Sequence, residues 1–117
     1  MGAHGDRVAG MFAAIDTRNW DELSEFFHPE MVYERPRYDP FVGRDRIMRF
    51  YREERVIAKG RHTLDGAIVE EERAAAWGRI EAVRNDGEPV TLGFADIYLL
   101  EDGAIKVRRS HFFVPAV

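Results

Sequence analysis

Apolar residues near the start of the chain recur at helical spacing. Val8, Met11, Phe12 and Ile15 follow the i, i+3, i+4, i+7 pattern, which predicts an amphipathic helix with one apolar stripe. The segment "DTRNWDEL" breaks and restarts it, with Asn19 as a helix N-cap and Glu22 three residues on, close to a capping box. The second helix gathers Trp20, Leu23, Phe26 and Phe27 on one side. It is predicted to end at "HPE", because the residue before a proline is pushed out of the helical region. Met31 to Arg35 read as a short strand, and Pro36 and Pro40 punctuate a loop. A third helix is predicted from about Gly43 through "RDRIMRFYREERVIAKG", capped at Gly60. From Arg61 the period changes to two. "HTLDGAIVEE", "RAAAWGRIEAVR", "PVTLGFADIYLLE" and "AIKVRRSHFFV" each read as a strand, and "RNDGE" and "EDG" carry the Asp-Gly signals of tight hairpins.

Helices grouped ahead of a long antiparallel meander predict an α+β domain. The expected form is a cone-shaped, mostly antiparallel sheet with three helices of the N-terminal half on its concave face. Such a cone leaves a mouth suited to a small molecule. At 117 residues, the expectation is one domain spanning 1–117.

Composition narrows the function classes. Cysteine is absent, which excludes disulfides, thiolate metal sites and cysteine nucleophiles. The formal charge of −4 argues against a nucleic-acid partner, which would need a basic face. No apolar run approaches the roughly 20 residues of a membrane span, and "MGAHGDRVAG" holds no signal-peptide stretch, so no membrane partner and a cytoplasmic location are expected. Fifteen arginines stand against two lysines, so arginine position matters more than arginine number. The runs "REER" and "EEER" read as solvated charge, and no phosphate loop or nucleophile elbow is present.

Alternation along "LGFADIYLL" places Leu92, Phe94, Asp96 and Tyr98 on one face. A carboxyl group among apolar neighbours must be paired or kept neutral. Tyr33 and Arg35 share a face of the first strand, where Arg35 offers a planar two-pronged donor for a carboxylate, phosphate or enolate. His62, at the start of a strand bordering the mouth, suits proton shuttling. Arg108, Ser110 and Phe112 share one face of the last strand; Val107, Arg109, His111 and Phe113 share the other. His4, His28 and His111 lie too far apart in sequence for a metal motif. Trp77 and Phe113 are expected on the convex face, an apolar surface suited to a homodimer.

Three local patterns carry a resemblance that covers nearly the whole chain: "AAI" before "NWDEL", an acidic-Arg-Pro corner before "GRDRIMRFY", and "DIYLLEDGAIKV" across the last hairpin. In these the chain resembles the nuclear transport factor 2-like superfamily, in particular its SnoaL-like and ketosteroid-isomerase-like members. The resemblance implies the cone fold, the inward side of the last strand and no cofactor. The isomerases use a tyrosine and a protonated aspartic acid as an oxyanion hole and a second aspartate as base. Their oxyanion-hole acid falls on Asp96 and a supporting tyrosine on Tyr51. Their oxyanion tyrosine falls on Met11 and their base on Arg35, and neither replacement can do that work. SnoaL-like cyclases keep an acid/base aspartate that matches Asp96.

The resulting expectation is a cofactor-independent acid–base enzyme acting on a small, mostly apolar carbonyl- or carboxylate-bearing metabolite. Asp96, Arg35, Tyr51 and His62 would be its catalytic groups, and Tyr33, Met11, Phe94, Tyr98, Arg108 and Phe112 would line the substrate. A non-catalytic ligand-binding or accessory protein is the alternative, and an epoxide hydrolase that activates water is a second. A closed ion pair between Asp96 and Arg35 would count against catalysis.

Overall fold

The computed structural model describes residues 3–113. Helix α1 (Ala3–Asp16) leads into α2 (Trp20–Glu25), then strands β1 (Phe27–Glu34) and β2 (Phe41–Val42), and helix α3 (Arg44–Arg49). A turn of π-helix (Phe50–Glu54) follows, then β3 (Ile57–Glu70), β4 (Arg73–Arg84), β5 (Pro89–Glu101) and β6 (Ala104–Phe112). The strands form one sheet in the order β2-β1-β6-β5-β4-β3, antiparallel except where β1 runs parallel to β6. Helix α1 lies along β3 and β4, and α3 packs on β1 and β2.

The sheet bends where its ladder is interrupted. Strand β3 shifts register at Ile57/Lys59 and again at Leu64/Gly66, and β5 against β6 at Leu99/Leu100. Gly78 faces the second break. A Cβ there would stand 1.9 Å from the Thr63 carbonyl oxygen, so only glycine lets β3 fold so closely over β4. The Asp102-Gly103 turn has both residues at positive φ, 54° and 79°, as the tight hairpin signal requires.

Several element boundaries differ from the sequence reading. Helix α2 stops at Glu25, and His28-Pro29 sit inside β1. The pairing of β1 with β6 lapses between Phe27 and Val32, the interval that holds Pro29, which has no N–H to donate. The third helical segment ends at Glu54, and Gly60 is a residue of β3, not a cap. The chain is pulled into the sheet early by Asn85, whose amide Nδ2 donates to the Arg55 carbonyl at 3.0 Å and whose backbone N–H donates to that of Val56 at 2.8 Å. The Asn19 cap forms: its side chain accepts the Glu22 N–H at 3.2 Å, and its own amide donates to the Glu22 carboxylate at 2.9 Å. Val114, read as part of the last strand, lies outside the described residues, as does the side chain of His4.

The inner rows of the sheet run level from strand to strand. Tyr33, Arg108, Tyr98 and Ala74 form one row, Ser110, Asp96 and Ala76 the next, and Phe112, Phe94, Gly78 and Leu64 a third, with Leu92, Ile80 and His62 beyond. The alternation read for β5 and β6 therefore holds: Asp96, Arg108 and Ser110 are buried, while Ile97, Leu99 and Phe113 are exposed outside. Ile68 and Trp77 are exposed on the same outer face. Among the described residues, no helix is long and apolar enough to cross a membrane.

Candidate functional site

Two clusters of polar side chains lie inside the cone, the first buried and the second partly buried. The first is built on β1, β5, β6 and the π-helical turn. Asp96 is buried in full, and its Oδ2 accepts from Arg108 Nε at 3.0 Å and from the Tyr98 hydroxyl at 2.7 Å. Arg108 Nη1 donates onward to the Tyr51 hydroxyl at 2.8 Å. Tyr51 gets its position from the π-helical turn, whose wide i→i+5 bond from Arg55 N–H to Phe50 C=O (2.8 Å) turns the ring inward. Beside this chain, Arg35 Nη1 donates to the Tyr33 hydroxyl at 3.2 Å, and Tyr33 shares a hydrogen bond with Ser110 Oγ at 3.1 Å.

Asp96 is thus paired, but with Arg108 and not with Arg35. Its other oxygen, Oδ1, is buried and has no hydrogen-bond partner among the described residues. Burial alone would lower the Arg108 pKa, but the Asp96 carboxylate and the surrounding phenols hold it well above the usual arginine value. Burial and then the Asp96 charge push the Tyr98 phenol far up, so Tyr98 stays a donor. Burial also raises Tyr51, with Arg108 opposing. Arg35 is enclosed by rings, its guanidinium carbon lying 5.0–5.6 Å from the centroids of Phe50, Phe112, Tyr33 and Tyr38. Its neighbour Glu34 turns outward and pairs with Arg109 at 2.6 Å.

The second cluster joins α1 to β3. Asp16, the last residue of α1, grips His62 with both oxygens: Oδ1 lies 2.6 Å from Nδ1, and Oδ2 accepts the His62 backbone N–H at 2.8 Å. A carboxylate at that distance fixes the proton on Nδ1, which leaves the lone pair on Nε2. The imidazole packs 4.6 Å from the Phe12 ring and 5.6 Å from Phe94. Phe12 is also the ring over which Arg108 stands, at 5.3 Å, so one phenyl group separates the clusters. Burial lowers the His62 pKa below 6.5; Asp16 opposes this, and the positive charges of Arg108 and Arg55 reinforce it. The imidazole is therefore neutral at neutral pH.

Of the residues singled out from sequence, Tyr33, Arg35, Tyr51, Asp96, Tyr98 and Arg108 come together in the first cluster. Phe94 and Phe112 form the row above it, with Phe94 reaching His62 and Phe112 reaching Arg35. Met11 is fully buried in the apolar core. Sequence reasoning did not find Asp16 or Phe12 as site residues, and it gave Ser110 no role. Asp16 follows an apolar stripe at the end of a helix, where an aspartate ordinarily reads as a solvated terminus. A cleft of about 350 Å³ at the ends of β3, β4 and β5, lined by Gly60, Ala82, Val90 and their neighbours, opens at the rim beyond His62. Among the described residues, no group of three His, Asp or Glu side chains is placed to hold a metal ion.

A curved open sheet closed over by α1, α2 and α3, with polar side chains rising from its inner rows, is the nuclear transport factor 2-like cone. Residues 8–108 match the model of the SnoaL-like domain, and the chain belongs to that family. A nuclear transport factor 2-like protein of unknown function from Burkholderia pseudomallei superposes with a TM-score of 0.87 at 22% identity, covering 96% of this chain and 92% of that one. An LEH-like epoxide hydrolase of Mycobacterium tuberculosis gives 0.84 at 14% identity over 94% and 82% of the two chains. A protein assigned as a SnoaL-like polyketide cyclase from Jannaschia sp. CCS1 gives 0.83 at 13% identity over 95% and 85%. Among curated proteins none matches the chain by sequence.

The Asp96–Arg108 pair has a direct energetic consequence. Asp96→Asn strands a buried guanidinium, and Arg108→Met strands a buried carboxylate, so each is expected to cost about 3–5 kcal/mol in denaturant unfolding. The double variant Asp96→Leu/Arg108→Met is expected to recover most of that loss. Single losses under about 1 kcal/mol, the worth of an exposed pair, would contradict the arrangement.

Proposed function

We propose that the protein is a cofactor-independent acid–base enzyme of the SnoaL-like type. Its substrate class is a small, mostly apolar metabolite carrying a carbonyl or carboxylate oxygen. The observation that carries this reading is the grip of Asp16 on His62: a neutral imidazole, fixed in one tautomer and packed beside aromatic rings, is suited to act as a general base. Sequence reasoning put proton transfer on Asp96. The geometry favours His62 for that task, because Asp96 already holds Arg108 and Tyr98 and serves to orient them. Arg108 and Tyr51, across Phe12, supply positive charge and a hydroxyl to oxygen that gains negative charge in the transition state. Such prearranged groups contribute several kcal/mol in a dry site.

The same base can take its proton from carbon, as an isomerase or cyclase does, or from water, as an epoxide hydrolase does. The similarity to proteins assigned to both activities supports either use. The assembly that fits this chain is a homodimer through the outer face, where Ile68, Trp77, Ile97, Leu99 and Phe113 leave a contiguous apolar surface exposed. Analytical ultracentrifugation is expected to give a dimer for the native protein and a monomer for Trp77→Glu; a native monomer at micromolar concentration would refute that assembly.

Catalysis is tested with a panel of cyclic 1,3-diketones, enones and one apolar epoxide in deuterated buffer. NMR would follow deuterium entry beside the carbonyl, or diol formation. The native protein is expected to act on at least one class, and His62→Gln to lose about 10²–10⁴-fold of that rate. Because a base works only when deprotonated and burial lowers this one, the rate is expected to fall as pH drops, with its midpoint below 6.5. Full activity in His62→Gln, or an acid limb centred above 6.5, would rule the assignment out.

A further inference from the structure

Helix α1 closes in a Schellman turn just past Asp16. The Asn19 N–H donates to the Ala14 carbonyl at 3.0 Å, and the Arg18 N–H donates to the Ile15 carbonyl at 3.1 Å. Such a turn needs a residue in the left-handed region, and Arg18 occupies it at φ 57°. Glycine makes that turn without strain, so the arginine is explained by where its side chain goes. It crosses to β3. There Nη1 donates to the Ala58 carbonyl at 2.8 Å and, more weakly, to the Ile57 carbonyl at 3.4 Å. Ala58 stands between Ile57 and Lys59, where β3 shifts register against β4. Strand β3 is the last strand of the sheet on that side, so its free edge must find partners outside the sheet. Asp16, two residues before Arg18, holds the same strand at the His62 N–H and imidazole. The end of α1 therefore grips β3 at two points, with Asp16 on His62 and Arg18 on Ile57 and Ala58.

We propose that Arg18 is a positioning residue of the acid–base site, fastening the end of α1 to β3 so that the Asp16 carboxylate stays on His62. The inference rests on the reading of His62 as the base and adds what keeps that base aligned. A carboxylate carried by a helix end can pivot about a single contact, and a second anchor along the same strand removes that freedom. The planar guanidinium, with several N–H groups, suits a pair of neighbouring carbonyls. Trp20, the first residue of α2, braces it: the guanidinium carbon stands 5.2 Å from the Trp20 ring centroid. Trp20 in turn lies 5.7 Å from the Tyr51 ring of the other cluster. Arg18 is thus placed to act through the backbone that carries Asp16 and not on the substrate.

The test separates the turn from the anchor. Arg18→Gly keeps the left-handed turn and removes the side chain; Arg18→Asn also accepts that conformation but is too short to reach β3. In both, nitrogen-15 NMR of His62 at neutral pH is expected to show a weakened preference for the proton on Nδ1. The His62 backbone amide is expected to exchange with deuterium on the order of tenfold faster, while amides of the central strand β5 keep their native rates. Arg18→Lys, which retains a long side chain with donors, is expected to restore most of the native behaviour. With a substrate from the panel, Arg18→Gly is expected to lower kcat by about 10–100-fold with little change in KM. An unchanged His62 tautomer and exchange rate in both short variants would overturn the proposal. Equal acceleration at His62 and in β5, the mark of a general loss of stability, would overturn it too. The two readings fail differently. If the native protein lacks the Nδ1 proton, the base assignment falls and the role of Arg18 with it; a native tautomer that survives both variants removes only Arg18.

Discussion

A carboxylate and a guanidinium buried together in the middle of a sheet constrain everything around them. Asp96 on β5 and Arg108 on β6 face inward in adjacent rows, and neither can be left alone without a large desolvation cost. Their pairing uses one oxygen of Asp96 and directs the far end of Arg108 toward Tyr51. Tyr51 reaches that guanidinium from the π-helical turn. Apolar residues of matching volume would stabilise the cone nearly as well, so the pair is better explained by what it positions than by what it stabilises.

From that anchor the interior divides into two halves with different electrical character. On one side Arg35, Arg108 and Arg55 crowd the phenols of Tyr33 and Tyr51, and burial together with that crowding lowers even the Arg55 pKa, against the pull of Tyr51. On the other side Asp16 steadies a neutral imidazole among Phe12 and Phe94. Phe12 separates them and contacts both. A lone pair on one flank and oxygen-directed donors on the other are what the proposed proton transfer next to a carbonyl would use.

Most of this architecture was legible in the residues, and the illegible parts have physical reasons. Alternation put Asp96 on one face with Phe94 and Tyr98, and Arg108 on one face with Ser110 and Phe112, while the inward side of the last strand came from the family resemblance. The first-helix stripe of Val8, Met11, Phe12 and Ile15 proved fully buried. The start of β3 was misplaced because tertiary bonds decided it: Asn85, distant in sequence, captures Arg55 and Val56 for the sheet. The partner of Asp96 followed from strand order: Arg108 lies on β6, paired with the strand of Asp96, while β6 separates that strand from β1, the strand that precedes Arg35. Asp16 was the largest omission. Its role depends on α1 ending above β3, 46 residues away in sequence, and no local pattern encodes that meeting.

The central claim is that His62 stands as a neutral base with its proton fixed on Nδ1 by Asp16. Nitrogen-15 NMR of the histidine ring at neutral pH reads that state directly. The account predicts a protonated Nδ1 and an unprotonated Nε2 for His62, with the tautomer preference weakened in Asp16→Asn. A proton on Nε2, or a cationic ring at neutral pH, would contradict it.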